Sequence, residues 1–339
     1  MKLLVVIINY RIAHLTIDCL RSLAGEVRQR PGIHVAVCEN GTGDDSAERI
    51  AAAIRAGGWD DWVSLTSVFP NRGFTGGNNV VLRAALQSAD PPQYVLLLNA
   101  DTIARPGALS ALVEFMDAHP RVGIAGSALQ DPDGVVRSGA YRFPSVLGVI
   151  ENTLAFGPTS KLLARWKTSP PPQTVCHPAD WVSGASMIIR REVLQRIGLL
   201  DEDLYTYFDD VDLCLRVWRA GWEVWYVPQS VVMHLEGQAT GIRTHDQRPK
   251  RRPEYWFWAR RHFFLKSYRA WGAAALDAAW IFSLALRRLR YRLQGKADCD
   301  PPFLLYDALR FSVFATGFRL QPVKNPALPS AKSRDPTAR

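Results

Sequence analysis

Short apolar runs alternate with amphipathic segments through the first third of the chain, and this alternation constrains the fold more than any other feature. Buried strands are predicted at 3–8, 33–37, 62–67 and 94–98, and helices at 14–24, 46–56 and 77–88. Strands that are apolar throughout and alternate with helices are typical of a parallel sheet covered on both faces. The sequence therefore predicts an α/β fold that binds its ligands at the carboxyl ends of the strands.

Polar residues follow each of the four predicted strands where the strand ends. They are Asn9-Tyr10, Glu39-Asn40, Asn71-Arg72-Gly73 and Asn99-Ala100-Asp101. Any one of them has a second interpretation, because Asn, Asp and Gly are ordinary turn residues. Four strand ends that carry such residues in sequence order favour a ligand site at one edge of the sheet.

A glycine-rich stretch, NRGFTGGNN at 71–79, leads from the third strand into the third predicted helix. We interpret it as a loop whose backbone amides approach a phosphate or a sugar closely. Its spacing matches neither the dinucleotide-binding fingerprint nor the Walker loop, so its weight comes from its position.

Two residues at strand ends are candidate metal ligands. Asp101 follows the apolar run 96–98, and His234 follows the apolar run 230–233. A carboxylate suits a hard cation that bridges diphosphate oxygens, and an imidazole beside it suits Mn²⁺ somewhat better than Mg²⁺. Both residues also have a structural interpretation, since an Asp after a strand can cap the next helix and a lone His is more often structural.

Asp209, Asp210 and Asp212 form the densest acidic cluster, between the aromatic run 205–208 and a predicted helix at 213–220. The free amides and dipole of a helix N-terminus stabilise carboxylates, which accounts for Asp212. Three acids in four positions beside aromatic residues also predict a carboxyl pKa raised toward that of a general base. The same half has a predicted strand at 180–190, a helix at Arg191–Ile197 and a strand at 223–227.

Cysteine usage and the N-terminal run bear on the cellular compartment. The five cysteines are widely spaced and include no CxxC pair, which predicts neither a zinc site nor a disulfide framework and favours a reducing, cytoplasmic setting. The apolar run 3–8 is too short for a signal-peptide core or a membrane span. Apolar residues make up 47% of the chain, so most of it is expected to fold.

Positive charge is concentrated toward the C-terminus. The net charge is +9, and residues 243–292 alone hold thirteen Lys and Arg against three Asp and Glu. Aromatic and basic residues recur at helical spacing over 255–292, which fits an interfacial helix on an anionic leaflet. A helix packed on the rest of the fold, with its arginines in solvent, fits as well, and a nucleic-acid surface is the least favoured interpretation. The apolar stretch 273–286 is short and contains Asp277, which argues against a full membrane span.

Taken together, these stretches resemble glycosyltransferase family 2, and within it the rhamnosyltransferase-like branch. The matching segments are VVIINY at 5–10, CENGTGDDS at 38–46, NRGFTGGNN at 71–79, LLLNADT at 96–102 and WVSGASMIIRREVLQRIGLLDEDLYTYFDDVDLCLRVWRAGWEVWYVP at 181–228, with His234 beyond. They occur in the family's order over about residues 3–265. The resemblance implies a GT-A (Rossmann-like) fold, a dTDP- or UDP-sugar donor, a divalent cation (Mn²⁺ or Mg²⁺) and inversion at the anomeric carbon.

The resemblance also implies roles for individual residues. Those implied for nucleotide-sugar binding are Asn9, Tyr10, Glu39, Asn71, Gly76, Asn99 and Asp101. Those implied for the metal are Asp101 and His234, those for the acceptor are Trp181, Gly184 and Asp209, and Asp210 is the implied base. The chain departs from the family pattern at Glu39, where Asp is commoner, at Asn99, which replaces an acid, and at Asp209, which replaces Glu. The replacement at Asn99 leaves Asp101 as the only carboxylate of the metal motif. His234 is then more necessary as a second metal ligand.

The resemblance and the composition together predict three regions. They are a GT-A catalytic domain at 1–240, with a nucleotide-sugar half at about 1–102 and an acceptor half at about 103–240, a basic aromatic helical segment at 241–320 and a disordered tail at 321–339. The expected function is transfer of a sugar, rhamnose being the branch's commonest, to a saccharide or polyprenyl-diphosphate-linked acceptor in cell-surface polysaccharide synthesis.

The expected location is the cytoplasm or the cytoplasmic face of the membrane, and no nucleic-acid partner is expected. A nucleotidyltransferase is disfavoured, because Arg11 is the only basic residue near the first loop. A catalytically silent sugar-binding or scaffold protein on the same fold is the alternative function.

Overall fold

The computed structural model describes residues 1–137, 139–235 and 249–321. The strands are β1 (Leu3–Asn9), β2 (Ile33–Asn40), β3 (Val63–Val68), β4 (Tyr94–Leu98), β5 (Thr102–Ala104), β6 (Val122–Gln130), β7 (Val136–Arg137), β8 (Ala140–Tyr141), β9 (His177–Pro178), β10 (Trp181–Val182), β11 (Ser186–Arg190) and β12 (Glu223–His234). The α-helices are α1 (Ala13–Gln29), α2 (Ser46–Gly57), α3 (Gly73–Leu86), α4 (Ala108–Ala118), α5 (Val146–Leu154), α6 (Gly157–Leu162), α7 (Arg191–Ile197), α8 (Asp209–Arg219), α9 (Glu254–Leu293), α10 (Leu304–Arg310) and α11 (Val313–Thr316), and 3₁₀ turns lie at Ala164–Trp166 and Glu202–Leu204. The tail predicted to be disordered lies, apart from Gln321, outside the described residues.

A ten-stranded sheet forms the centre of the fold, and eight of its strands follow the order β3-β2-β1-β4-β11-β6-β12-β5. β1 is parallel to β2 and β4, and β2 is parallel to β3. β11 is antiparallel to its neighbours β4 and β6, whereas β12 is parallel to β6 and antiparallel to β5. The predicted sheet, mostly parallel and flanked by helices, is confirmed, with an antiparallel strand inserted at its centre.

The core lies on both faces of this sheet, because successive side chains of a strand point to opposite faces. In β1, Leu3, Val5 and Ile7 are buried in one apolar cluster with side chains of α1, α2 and α4. The alternate residues Leu4 and Val6 are buried in a second cluster with side chains of α3, α7 and α8. Burial on both faces explains why the strands are apolar throughout.

Helix α3 begins four residues earlier than predicted, so residues 73–79 of the glycine-rich stretch are helical and the loop interpretation is wrong for them. Asn71 Oδ1 accepts a hydrogen bond from Gly73 N at 2.7 Å, and the Asn40 amide donates to Gly73 O at 2.9 Å. A Cβ at Gly77 would lie 3.1 Å from Asn40 Nδ2 and 3.3 Å from Ile8. Small residues in this turn let α3 pack closely on β1 and β2.

The strand predicted at 180–190 is divided into two short strands. β10 pairs with β8 in a separate two-stranded sheet, and β11 joins the main sheet. The turn between them contains Ser183, Gly184 and Ala185. Ala185 O accepts a hydrogen bond from Asn99 N at 3.0 Å, which fixes this turn against the end of β4.

Helix α9 packs its first half on the domain and is kinked at Arg269, where φ is +60°. Phe257, Phe263 and Phe264 are buried against neighbouring helices. Among the described residues, no helix is long and apolar enough to cross a bilayer.

Two arginines of α9 are buried rather than solvated. Arg260 forms an ion pair with Asp277, and both side chains are buried. Arg261 donates to the carbonyl oxygens of Gly317 and Arg319, each at 2.7 Å. The expectation that the arginines of a packed α9 lie in solvent is therefore wrong for these two, which join separate parts of the C-terminal segment.

Candidate active site

One cleft of about 880 Å³ opens where the carboxyl ends of β1 and β4 meet the turn between β10 and β11. The beginnings of α3, α8 and α9 and the end of β12 complete its walls. Of the residues predicted for the site, those that line the cleft are Tyr10, Asn71, Asn99, Asp101, Trp181, Gly184, Asp209, Asp210 and His234. Most of the residues predicted for the site therefore lie around one space, and those predicted from strand ends are Tyr10, Asn71, Asn99, Asp101 and His234.

Asp101 and His234 meet because β5 follows the Asp101 turn and pairs with β12. In that pairing Thr102 is opposite His234. His234 Nε2 lies 3.3 Å from Asp101 Oδ1 and 3.2 Å from the Asn99 side-chain amide. The three side chains form a compact polar group in an otherwise partly apolar cleft.

The donor set of this group fits a divalent cation. A carboxylate oxygen and an imidazole nitrogen lie within 3.3 Å of each other and both residues line the cleft. The other imidazole nitrogen, Nδ1 of His234, is buried with no hydrogen-bond partner among the described residues. Carboxylate with imidazole suits Mn²⁺ or a similar borderline cation.

A second group of possible ligands lies elsewhere. Asp201, Asp203 and His262 have ligand atoms within 4.8 Å of one another, but none of them lines the cleft. Lys266 Nζ lies 2.6 Å from Asp201 and 2.8 Å from Asp212. Burial acts to raise the pKa of Asp201, but the hydrogen bonds from His262 and Lys266 outweigh it and hold that pKa below its usual range. Because the Lys266 ammonium and His262 of α9 already pair with Asp201, we interpret the group as an ion-pair network that anchors α9.

Asp209 and Asp210 are the first two residues of α8, which begins four residues before its predicted start. Asp210 accepts hydrogen bonds from Val211 N at 2.8 Å and from Gly184 N at 3.3 Å. Burial raises the pKa of both carboxyls, and the neighbouring charge of Asp210 raises the pKa of Asp209 further. The two amide donors stabilise the ionised form of Asp210 and limit its rise. A carboxylate whose pKa is raised in this way is, while ionised, a stronger proton acceptor than an ordinary aspartate.

The segment before these acids has an unusual backbone. Tyr205, Tyr207 and Phe208 have φ values of +62°, +68° and +61°. A residue other than glycine in the left-handed backbone region costs on the order of 1–3 kcal/mol of conformational free energy. Such residues persist where surrounding contacts require them. Gly73 belongs to those surroundings, because a Cβ on it would lie 2.4 Å from the Tyr205 ring. The sequence offered no local signal for this strained turn, which presents Asp209 and Asp210 to the cleft.

Asp212, two residues further on, has a different environment. Its carboxylate lies 2.8 Å from Arg216 and 2.8 Å from Lys266. It does not line the cleft. The structural interpretation of Asp212 agrees with this position.

Three of the residues predicted for nucleotide-sugar binding, Asn9, Glu39 and Gly76, are not among those that line the cleft. Asn9 is buried and its Oδ1 accepts a hydrogen bond from Thr16 at 2.9 Å, and Glu39 accepts one from Thr42 N at 2.7 Å. Gly76 lies inside α3, and a Cβ on it would lie 2.8 Å from Arg72 Cβ. These contacts are structural, and any ligand contact of the three stays a prediction.

Aromatic residues dominate the other walls of the cleft. Tyr207 stacks on Tyr255 with ring centroids 6.0 Å apart, and Tyr205 Oη donates to Asn71 Oδ1 at 3.3 Å. Trp181 stacks on Tyr141 at 4.2 Å. Such surfaces bind the flat faces of bases and sugars.

The beginning of α9 contributes residues that the sequence did not assign to the site. Tyr255 and Trp256 line the cleft, and so does Arg252, whose guanidinium lies 4.0 Å from the centroid of the Trp256 ring. Arg252 is the single Lys or Arg among the described residues that line the cleft. Residues 241–320 were predicted to be a separate helical segment, so the contribution of this region to the site was missed.

The fold is that of the GT-A glycosyltransferases. A mannosyltransferase of Pyrobaculum calidifontis, solved in complex with GDP-Man and Mn²⁺, shares the fold with a TM-score of 0.54 and 18% identity, over 94% of this chain and 84% of that one. The family model described as glycosyltransferase like family 2 matches residues 2–252, and the chain belongs to that family.

Two curated relatives are rhamnosyltransferases. The N-acetylglucosaminyl-diphospho-decaprenol L-rhamnosyltransferase of Mycobacterium tuberculosis is 32% identical over 150 residues, which are 44% of this chain and 48% of that protein. Rhamnosyltransferase WbbL of Escherichia coli is 25% identical over 167 residues, which are 48% of this chain and 60% of that protein. The aligned region thus spans about half the length of the curated relatives.

Proposed function

We propose that this protein transfers a sugar, with inversion, from a nucleotide diphosphate donor to a hydroxyl group of a saccharide acceptor. The observation that carries the proposal is that the Asp101–His234 pair and the buried acids Asp209 and Asp210 line one cleft. The first pair fits the diphosphate end of a donor, and the second fits removal of a proton from an acceptor.

The donor end combines Asp101, His234 and Arg252. A divalent cation held by Asp101 and His234 would offset the charge that develops on the leaving diphosphate. Arg252 supplies a fixed positive charge in a cleft lined by three carboxylates. We assign the aromatic wall of Tyr205 and Tyr255, with Tyr10 and Asn71, to the nucleoside.

The acceptor end uses Asp210 as the base. The acceptor hydroxyl gives its proton to the Asp210 carboxylate while its oxygen bonds to the anomeric carbon. The bond between that carbon and the diphosphate oxygen breaks on the opposite side, and the nucleoside diphosphate leaves. Gly184 N orients the base through its hydrogen bond to Oδ2, and Trp181 offers a flat surface to the acceptor sugar.

The relatives guide the choice of substrates. The M. tuberculosis relative carries the name of an L-rhamnosyltransferase that acts on a decaprenol-diphosphate-linked N-acetylglucosamine. We infer that the donor is a deoxyhexose such as rhamnose on a dTDP or UDP carrier, and that the acceptor is a polyprenyl-diphosphate-linked saccharide used for cell-surface polysaccharide.

Donor binding and hydrolysis across a panel of dTDP- and UDP-sugars, with Mn²⁺ and with chelator, test the proposal. We expect metal-dependent binding of one donor by the wild type and loss of that binding in Asp101→Ala. Asp210→Asn should keep binding and lose turnover. Absence of binding to every donor, with and without metal, would instead support a catalytically silent scaffold.

A further inference from the structure

Exposed large apolar side chains are concentrated in the C-terminal segment. Eleven of them lie between Trp271 and Leu320, whereas nine lie in the described residues from Met1 to Leu235. A density this high on a basic segment marks an interaction surface.

Seven of the exposed apolar residues in α9 lie on one side of its second half. They are Trp271, Ala275, Ala278, Phe282, Leu286, Leu289 and Leu293. Their spacing of three or four residues puts them on a single helical face, here called the outer stripe. From Trp271 to Leu293 the outer stripe is about 33 Å long at 1.5 Å per residue.

The opposite side of the same helix is fixed to the protein. Leu276 and Leu284 are buried, and Asp277 pairs with the buried Arg260 of the first half. Asp277 also accepts a hydrogen bond from Val313 N at 2.8 Å, which ties α11 to this side. Since α9 cannot rotate without breaking these contacts, the outer stripe faces away from the core.

Charge distinguishes between possible occupants of the outer stripe. Arg269, Arg292 and Lys296 are exposed at its two ends, and residues 243–292 carry a local net charge of +10. Two copies of so basic a segment repel each other, whereas an anionic surface attracts it. An exposed apolar helical face flanked by cations matches the surface of an anionic lipid leaflet.

We propose that the outer stripe binds an anionic membrane, with α9 lying in the plane of the interface. The surface used is the second half of α9, beyond the kink at Arg269, and not the buried aromatic first half. The first residues of the same helix, Tyr255 and Trp256, line the cleft. The outer stripe thereby holds the cleft near a lipid-linked acceptor. This consequence rests on the proposed function, whereas the binding of the membrane by the outer stripe is independent of it.

Co-sedimentation of the full chain with lipid vesicles tests this inference. One set of vesicles contains phosphatidylcholine alone, and the other contains phosphatidylcholine mixed with phosphatidylglycerol. The stripe variant is Phe282→Ser with Leu289→Ser. The matched control, Val175→Ser with Trp218→Ser, removes two exposed apolar side chains from other surfaces.

The wild type and the control should bind the mixed vesicles, more weakly at high salt, and bind the neutral vesicles poorly. The stripe variant should bind the mixed vesicles at least about tenfold more weakly, because two apolar side chains no longer enter the interface. Equal binding by stripe variant and control, or no binding by the wild type, overturns the inference. The inference is also overturned if light scattering shows that the wild type is a dimer and that the stripe variant is a monomer. Donor binding, measured on the same samples, is independent of the stripe and reports on the proposed function separately.

Discussion

Replacement of Asp210 by asparagine separates the proposed base from its structural surroundings. The amide has the shape of the carboxylate but cannot accept a proton, so kcat should fall about 10²- to 10⁴-fold. This corresponds to about 3–5 kcal/mol in the activation free energy. Donor affinity should stay within about threefold, because Asp210 lies at the acceptor end of the cleft.

Two opposing effects set the stability of Asp210→Asn. The amide has one acceptor oxygen for the two donors, Val211 N at 2.8 Å and Gly184 N at 3.3 Å, and loss of one hydrogen bond costs about 1 kcal/mol. Removal of the charge relieves the repulsion that helps to raise the pKa of Asp209. We therefore expect the free energy of unfolding to change by no more than about 1 kcal/mol.

The same substitution at Asp212 is the matched control. That carboxylate pairs with Arg216 and Lys266, so Asp212→Asn should lower the free energy of unfolding by about 1–3 kcal/mol and leave kcat nearly unchanged. Initial rates of sugar transfer, donor titration calorimetry and urea denaturation distinguish the two patterns. An Asp210→Asn protein that keeps more than about a tenth of kcat would refute the assignment of the base.

Four further outcomes follow from the site and from α9. Burial raises the pKa of Asp210, so the acidic limb of the kcat profile should lie above the ordinary aspartate value of about 3.9, with activity rising as pH rises through it. Asp209→Asn should leave that limb nearly in place, because burial and the charge of Asp210 raise the pKa of Asp209 to about 8, so Asp209 is already protonated where Asp210 titrates, and a limb that moves to lower pH would contradict this order of titration. His234→Ala should weaken Mn²⁺-dependent donor binding at least about tenfold while metal-independent binding stays unchanged, as a titration with Mn²⁺ against chelator would show. Asp277→Ala should lower the free energy of unfolding by about 3–5 kcal/mol, because it leaves Arg260 buried without its partner, and Asp277→Ala with Arg260→Met should recover much of that loss in urea denaturation.

Much of the site could be predicted because its signals are local. An apolar strand followed by Asp101, another followed by His234, and acids at the start of a helix can all be read from neighbouring residues. The carboxyl ends of parallel strands then bring such residues to one edge without knowledge of distant contacts.

The parts that were missed depend on contacts between distant segments. Whether Gly76 forms a loop or a helical turn depends on the packing of α3 against β1 and β2. The place of Arg252 and Tyr255 in the cleft depends on how α9 packs, which local spacing does not encode. Burial of Arg260 likewise requires a partner seventeen residues away, Asp277.

The path of β12 has a consequence for how such a site can be lost. Between Val227, opposite Ser127, and Val231, opposite Ala128, the strand contains three extra residues in a bulge. Side chains alternate along a strand, so gain or loss of one residue that shifts the pairing beyond this bulge turns His234 to the other face of the sheet. A descendant with such a single-codon deletion would keep every motif of its ancestor and still lack the pairing with Asp101. Spacing within β12, more than the presence of a histidine, is therefore what to inspect when a relative is judged active or silent.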